Sequence, residues 1–468
     1  MNPFEPLSSA EIEKAVATFR AARPEQPAYF SSSGLVEPAK ERVKAGESGA
    51  RVVRLMGVDD QADGGFMADV DVTAGAVVEV QRLSPSAQGP YGFAELGLAV
   101  KLTRSDEEWL AAVRKRGIPC ATEDELELIQ IDPWPAGGYA IDEIPAGHRA
   151  VRCIAFLRED ATDNGYARPI HGLIAHVDLT AGEVVHVEDS GVVPLPPDSG
   201  RFDAAHQAHT REDLKDLEIT QKDGPSFTVD GYEVNWQGWS FSVSMHPVHG
   251  LVLHRLSLQE RPILYRAALS EMIVPYGDSD PMHSWKHVLD ASEYNMGMLV
   301  NSLKLGCDCL GEIHYFDVHQ VGWDGKVKTV ENAICMHEED YGIQWKHYDS
   351  QSQISEVRRS RRLVVSSIFT IGNYDYGFYW YLYLDGTIQM EVKLTGIVGV
   401  SAVTPETLNA EQSPLIGRGL ASPVHQHVFC FRLDWELDGG ENSLFENEIE
   451  VMPVDDSNPD GTQFRSVS

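Results

Sequence analysis

The chain has 468 residues, enough for two to four domains, and its 43% hydrophobic and 23% charged residues are ordinary for a globular protein. It carries 71 acidic and 38 basic residues, and the resulting net charge of −33 argues against nucleic acids and membrane surfaces as main partners. No stretch approaches the roughly twenty apolar residues of a membrane span. The first residues also lack a signal-peptide pattern, so we expect a cytoplasmic protein.

Two helix starts are marked by capping boxes in the first quarter of the chain. Ser8-x-x-Glu11 predicts a helix that continues to Ala22, and Ser105-x-x-Glu108 predicts a second helix. In this pattern the serine side chain and the glutamate side chain each satisfy a free backbone N–H group of the first turn. We therefore expect one helix ahead of each of two strand-rich segments.

A short repeat follows each predicted helix. Residues 70–80 and 177–187 are identical at eight of eleven positions, and each copy alternates apolar and polar residues around a Thr-Ala-Gly turn. This alternation is typical of a β-hairpin. A helix followed by strands, twice over, predicts two related α+β domains, at residues 1–98 and 99–205.

The character of the chain changes after the proline-rich segment 193–200, which reads as an extended linker. Many strand signals and few helix signals follow. We expect residues 206–468 to form one large antiparallel β-sandwich that carries the catalytic residues. The predicted fold class is therefore α+β, with two small related domains before the sandwich.

His425-Gln426-His427 precedes the apolar run that starts at Val428. In a strand, side chains two residues apart project from the same face, so both imidazoles can bind one cation. Copper, zinc and iron all accept such ligands, and a stable site needs at least one more. Taken alone, the pattern more often belongs to two polar residues on a solvent-facing strand.

Asn373-Tyr374-Asp375-Tyr376 forms a polar segment between an apolar strand and a strongly aromatic one, about fifty residues before the two histidines. With that order and spacing, the sequence resembles the copper-containing, topaquinone-dependent primary amine oxidases. The segments 274–278, 289–294, 306–311 and 334–340 also resemble landmarks of this family. The resemblance runs from about residue 4 to the last residue.

The resemblance implies a role for each matching residue. Tyr374 would be the precursor of the quinone cofactor, and Asp290 would be the base that removes the α-proton of the substrate. Without the resemblance, Asp290 reads as a helix-capping aspartate. Tyr276 would donate a hydrogen bond to the cofactor, and Asn373 would hold the ring from the neighbouring backbone position.

The resemblance also implies metal ligands and a disulfide. His425 and His427 would bind copper(II), and Asp434 would be one ligand of a peripheral calcium-type site, although a merely solvated Asp434 is equally compatible with the sequence. Cys309 and Cys335 would form a disulfide, which is unusual for an intracellular chain. The implied assembly is a homodimer.

The implied reaction is the oxidative deamination of a primary amine by O2, which yields an aldehyde, ammonium and hydrogen peroxide. Two positions bear on the substrate. Val288 stands where several relatives carry an aromatic gate over the substrate channel, and Tyr166 stands where a relative has a channel-lining tryptophan. The sequence does not define which amine is used.

The family has a third copper-binding histidine far beyond the first two, and no histidine follows His427 here. We therefore expect a C-terminally incomplete catalytic domain. The alternative hypothesis is a catalytically inactive chain with a binding or structural role, in which Tyr374 stays unmodified. An unrelated iron or zinc site at His425 and His427 is a weaker alternative.

Overall fold

The protein is described by a computed structural model with few helices and many strands. The structure describes residues 2–24, 27–47, 49–59, 65–84, 87–135, 141–207, 211 and 213–468. Every pair of neighbouring strands in the sheets of this part of the chain is antiparallel. None of the described helices is long and apolar enough to cross a membrane.

The N-terminal part is one four-stranded sheet, in the order β1-β2-β3-β4, with a helix packed against it. The first helix begins where the capping box predicts: Ser8 Oγ accepts from the backbone N–H of Glu11, and the Glu11 carboxylate accepts from that of Ser8. The elements are α1 (Ser9–Ala22), β1 (Ala28–Leu35), α2 (Lys40–Lys44), β2 (Val52–Asp59), β3 (Gly65–Asp71) and β4 (Ala76–Arg82).

A second four-stranded sheet, in the order β5-β6-β7-β8, follows three helices. The elements are α3 (Phe93–Ser105), α4 (Glu107–Lys115), α5 (Glu123–Glu127), β5 (Ile129–Pro135), β6 (Ala150–Leu157), β7 (Leu173–Asp178) and β8 (Glu183–Asp189). The capping box expected at Ser105 is wrong. Ser105 ends α3, and the neighbouring Asp106 caps α4 by accepting from the Trp109 N–H at 2.8 Å.

Both copies of the sequence repeat form the predicted hairpins, β3–β4 and β7–β8. At each turn the first aspartate, Asp71 or Asp178, accepts hydrogen bonds from two backbone N–H groups at 2.8 to 2.9 Å. Gly75 and Gly182 take the left-handed conformation, with φ of 68° and 76°. Glycine adopts this conformation at little cost, which explains its place in both turns.

Two larger sheets, together with a three-stranded sheet of β20 to β22 and a two-stranded sheet of β24 and β25, form the rest of the fold. The two larger sheets share one buried core that includes Trp236, Trp239, Leu363 and Trp380. One has the order β14-β13-β12-β11-β10-β9 with β23 also paired to β13, and the other has the order β15-β16-β17-β18-β19. The strands are β9 (Phe227–Asp230), β10 (Glu233–Trp236), β11 (Trp239–His246), β12 (Gly250–Leu258), β13 (Arg261–Pro275), β14 (His287–Leu289), β15 (His314–Val321), β16 (Val327–Asp349), β17 (Ile354–Ile371), β18 (Tyr374–Tyr383), β19 (Ile388–Gly396), β20 (Ser401–Ala402), β21 (Leu415–Gly417), β22 (Leu420–Ala421), β23 (Val428–Trp435), β24 (Glu448–Val451) and β25 (Phe464–Val467).

Cys309 and Cys335 form a disulfide, as the resemblance implied. The bond joins the turn before β15 to the middle of β16, where Cys335 is fully buried. Cys307 stays free and exposed. The pairing therefore ties a surface turn to the core of the second large sheet.

Candidate active site

A cavity of about 430 Å³ brings together most of the side chains that the sequence singled out. This is the size range of small-molecule sites in proteins. The lining includes six of the predicted site residues, namely Tyr166, Tyr276, Val288, Asp290, Asn373 and Tyr374. These residues come from four separate stretches of the sequence, so the fold assembles the site.

Tyr374 begins strand β18, directly after a two-residue turn. The polar segment 373–376 therefore lies mostly within the strand, and only Gly372 and Asn373 form the turn. The Tyr374 hydroxyl lies 2.8 Å from His425 Nε2 and accepts from the Gly399 N–H at 2.8 Å. Burial raises the pKa of Tyr374.

Asn373 fixes the position of that turn. Its side-chain Nδ2 donates to the Ile397 carbonyl at 2.6 Å, and the Ile397 N–H donates back to the Asn373 carbonyl at 2.7 Å. The side chain is 9% exposed. The backbone next to Tyr374 is therefore held from both sides.

Asp290 follows the short strand β14 and is buried, with 6% exposure. Its carboxylate accepts from the Tyr376 hydroxyl at 2.9 Å, and turn residues follow it, so it does not cap a helix there. Burial raises the pKa of Asp290 to about 7, the Tyr376 hydrogen bond opposes the rise, and the nearby carboxylates of Glu293 and Glu271 add to it. A carboxylate with this pKa can accept a proton near neutral pH.

The two histidines lie just ahead of strand β23 and not within it, so the predicted strand position is wrong. His425 forms an isolated antiparallel bridge with Tyr276 instead. The two imidazole centroids are 5.0 Å apart with planes at 71°. His425 Nδ1 faces the Pro423 carbonyl at 2.8 Å, so Nδ1 carries the proton and Nε2 presents its lone pair toward Tyr374.

His427 Nδ1 lies 3.2 Å from the Tyr376 hydroxyl, and burial, with a contribution from His425, lowers the pKa of His427 to about 4. A neutral imidazole is the form that binds metals, and this chemistry suits copper. No group of three His, Cys, Asp or Glu side chains is arranged to hold a metal ion among the residues that the structure describes. The two imidazoles alone are fewer than the three or more ligands that a stable site needs.

Tyr276 lies between the histidines and a group of aromatic side chains. Its ring stacks on His425 at 4.7 Å and meets Trp134 edge to face at 6.2 Å. Burial raises the pKa of Tyr276 well above its usual value, and the nearby Tyr374 and Asp290 add to the rise. Tyr276 therefore stays protonated and can act as a donor.

Three further predicted residues, Val288, Tyr166 and Asp434, lie at the cavity wall or outside it. Val288 is 4% exposed and Tyr166 is partly buried, and both line the cavity. Asp434, on β23, accepts from Lys40 Nζ at 2.7 Å and lies away from the cavity. Lys40 thus occupies one oxygen of the proposed calcium-type ligand.

Tyr376 is the functional side chain that the sequence reasoning left without a role. It connects Asp290 to His427 through one hydroxyl, and it is fully buried. The signal was present, because Tyr376 is two residues after Tyr374 in a strand and therefore points to the same face.

A buried carboxylate whose pKa is raised to about 7 lines a cavity beside a tyrosine and two imidazoles, and this arrangement suits proton abstraction. Comparison with known proteins narrows this class. Residues 228–468 match the family described as copper amine oxidase, enzyme domain. The chain belongs to the copper amine oxidase family, and it is an enzyme of the primary amine oxidase class.

Several relatives match nearly the whole chain. The primary amine oxidase of Arthrobacter sp. (strain P1) is 43% identical over 471 residues, which cover 100% of this chain and 71% of the relative. The histamine oxidase of Arthrobacter globiformis is 40% identical, over 99% of this chain and 68% of the relative.

The fold is also shared with a solved structure. A copper-containing benzylamine oxidase from Hansenula polymorpha has a TM-score of 0.87 at 24% identity, covering 100% of this chain and 76% of that structure. The predominantly antiparallel β architecture is therefore that of an amine oxidase.

Proposed function

We propose that the protein catalyses the copper- and topaquinone-dependent oxidative deamination of primary amines, using O2 and releasing an aldehyde, ammonium and hydrogen peroxide. One observation carries the proposal: Asp290 and Tyr374 line the same cavity, and the Tyr374 hydroxyl faces the lone pair of His425 Nε2. A base and a tyrosine placed for modification next to a metal ligand are what this reaction requires.

Asp290 is the proposed base. Its Oδ2 is engaged by Tyr376, so Oδ1 is the atom that takes the α-proton of the bound amine. With its pKa near 7, the carboxylate is ionised in a substantial fraction of molecules at neutral pH. It is also a stronger base than an ordinary aspartate, so it can accept the α-proton. The mostly apolar lining of the cavity disfavours water next to this transfer.

Tyr374 is the proposed precursor of the cofactor, and His425 and His427 are the proposed copper ligands together with a further ligand. When formed, the quinone supplies an electrophilic carbonyl and a reservoir for two electrons. Tyr276 and Asn373 orient the Tyr374 ring, the first through its hydroxyl and the second through the backbone.

The finer organisation is proposed on the same basis. We assign residues 1–98 and 99–205 to two small α+β domains and residues 206–468 to a β-sandwich, noting that α3 spans the first boundary. Asp434 is a candidate ligand of a calcium-type site, where the cation would displace Lys40. The family also suggests a homodimer.

Aerobic incubation of the metal-free protein with copper(II) tests the proposal. We expect a visible absorption band from the quinone in the native chain and none in a Tyr374→Phe variant. Peptide mass spectrometry then locates the modification. A chain whose Tyr374 remains an ordinary tyrosine after full copper loading would contradict the oxidase proposal and support the inactive alternative.

A further inference from the structure

A second, smaller cavity lies where the segment after Tyr276 meets the segment that leads to His425, and its volume is about 170 Å³. Besides Val403, every residue of its lining carries a side-chain oxygen: Asp278, Ser279, Asp280, Ser401, Thr407, Asn409 and Ser413. No basic side chain lines it among the residues that the structure describes. Carboxylate, amide and hydroxyl oxygens are the ligands that hard cations prefer.

Asp278 is the buried carboxylate of this cavity, with 7% exposure. Its Oδ1 accepts from the backbone N–H of Asp280 at 2.9 Å. Asp280 itself pairs with His171 at 3.1 Å and interacts with Lys286, whereas no cationic side chain in the described part of the chain forms an ion pair with Asp278. A buried carboxylate needs a compensating positive charge, and a cation in the cavity would supply it.

The Ser413 hydroxyl is an independent sign that the cavity takes a ligand. Ser413 is 4% exposed, and its Oγ is buried without a hydrogen-bond partner in the described structure. A buried hydroxyl in this state loses the free energy of its contacts with water and regains nothing. Its oxygen is therefore available as a ligand.

The rim of the cavity is held in place by one side chain, Gln412. Asn409 Nδ2 and Ser279 Oγ both donate to Gln412 Oε1 at 2.8 Å. This arrangement uses the Asn409 amide nitrogen and leaves its oxygen as an acceptor. Asn409 and Ser279 are exposed, so a cation can enter from solvent.

The cavity lies directly beside the contact between Tyr276 and His425. The Gly277 N–H donates to the Val424 carbonyl at 2.7 Å, and the Val424 N–H donates to the Gln412 carbonyl at 2.7 Å. Three backbone segments are thus joined in series, from Tyr276 to the rim of the cavity. An ion bound there would act on the position of His425.

We propose that this cavity binds a calcium ion, with Asp278, Asn409 and Ser413 as ligands, and that the ion holds the segment before His425 against the segment that carries Tyr276. Calcium accepts about six to eight oxygens in flexible geometry, whereas magnesium demands a near-ideal octahedron, and water would complete the shell. The site is separate from Asp434, which lies on β23 and does not line this cavity. The inference does not rest on the proposed function.

Calorimetric titration of the chain with calcium chloride tests the site. With one carboxylate left uncompensated by the protein, we expect a Kd of about 10⁻⁴–10⁻³ M and weaker binding of magnesium. Asp278→Asn should raise the Kd for calcium at least about ten-fold, and Ser413→Ala about three-fold. The matched control is Asp385→Asn, because Asp385 also accepts from a backbone N–H two residues on, at 3.0 Å, but in an exposed turn.

A chain that binds no calcium, or an Asp278→Asn variant that binds it as the native chain does, would overturn the inference. Asp434→Asn separates the two candidate calcium sites. Loss of all calcium binding in Asp434→Asn alone would assign the ion to Asp434 and would equally overturn the inference.

Urea unfolding distinguishes a ligand from a merely structural aspartate. Without calcium, Asp278→Asn should unfold at the same or higher urea than the native chain, because it removes an uncompensated charge and its amide oxygen can still accept from Asp280. Calcium at about 10 mM should raise the midpoint of the native chain and not that of the variant. A midpoint that is lower in the variant by the same amount with and without calcium would contradict the site.

Amide hydrogen exchange tests the effect on the neighbouring segments. Bound calcium should slow the exchange of the Gly277 and Val424 N–H groups, which join these segments. Unchanged exchange at saturating calcium would overturn the role in holding His425. These measurements need neither copper nor turnover, so their failure leaves the proposed oxidase function untouched.

Discussion

The Tyr376 hydroxyl donates a hydrogen bond of 2.9 Å to Asp290 Oδ2, so the proposed base is held by a side chain of the same motif as the proposed cofactor precursor. Tyr376 lies on the strand that Tyr374 begins, two residues further on. The bond stabilises the ionised carboxylate, and it partly offsets the effect of burial on the pKa of Asp290.

Replacement of Tyr376 by Phe should raise the pKa of Asp290 further above 7. A hydrogen bond to a charged group contributes about 1.5–3 kcal/mol, so we expect the pKa to rise by about one to two pH units. Infrared titration of the carboxyl stretch measures it without turnover. Tyr381→Phe is the control, since that hydroxyl bonds Glu391 and not Asp290. Coincident titrations of native and Tyr376→Phe protein would refute the coupling.

Asp290→Asn should lower kcat/KM for amine oxidation by about two to four orders of magnitude, the contribution of a well-placed general base. The amide cannot accept the proton, but it is nearly isosteric, so amine binding should persist. Asp385→Asn, in the exposed turn between β18 and β19, is a matched control. Retention of native kcat/KM in Asp290→Asn would exclude this residue as the base.

The Asp290 carboxyl also makes the stability of the folded protein depend on pH. Its pKa is about 7 in the folded protein against an ordinary 3.8, so the folded state favours the protonated form. The stabilisation is complete below about pH 4 and is lost as the pH rises to about 7, by several kcal/mol, since each pKa unit is worth ~1.4 kcal/mol. Asp290→Asn should remove this loss and unfold at higher urea than the native chain at pH 8. Identical midpoints at pH 8 would show that no such penalty exists.

Removal of the Cys309–Cys335 disulfide should destabilise the second large sheet. The two cysteines are 26 residues apart, and a loop of this length corresponds to about 3.5 kcal/mol of stabilisation. The double variant Cys309→Ala/Cys335→Ala should unfold at lower urea, as should the native chain under reductant. Cys307→Ser, at an exposed free thiol, should not change the midpoint. If reductant leaves the native midpoint unchanged, the bond contributes little.

The repeated hairpins offer a paired test of turn chemistry. Asp71→Ala and Asp178→Ala each remove two hydrogen bonds to backbone N–H groups, which together contribute about 1–3 kcal/mol. Asp178→Ala should lower the free energy of unfolding more than Asp71→Ala, because Asp178 is 1% exposed and also forms a hydrogen bond of 2.6 Å with His148. Limited proteolysis of the two sheets separates the effects. Equal sensitivity of the two variants would show that burial does not matter here.

Local sequence signals predicted the elements that short-range chemistry controls. The Ser8 capping box and the two Thr-Ala-Gly hairpins depend on contacts a few residues apart, and both are present. The same reasoning failed at Ser105, because Asp106 next to it is an equally good cap and the preceding helix α3 shifts the start by one residue. Adjacent capping residues leave such a boundary ambiguous.

The sequence motifs identified the candidate site residues, but they did not predict how these residues are arranged in space. The histidine pair has the alternation of a strand, yet His425 is held by Pro423 and by a bridge to Tyr276, a contact between residues far apart in the sequence. The aromatic surroundings of Tyr276 gave no sequence signal, since Trp134 comes from β5 of the second four-stranded sheet. Long-range packing of this kind is not encoded in any local pattern.

The composite origin of the cavity has a kinetic consequence. The cavity is lined by Phe30 on β1, by Trp134 on β5, by Tyr166 between β6 and β7, and by Tyr374 on β18. Such contacts close long loops and form late in folding, because their entropic cost is met only after the local elements exist. Without these N-terminal residues, the cavity would lose part of the wall that it shares with Asp290 and Tyr374. Chemistry that depends on an apolar site therefore requires the N-terminal sheets to be packed in place.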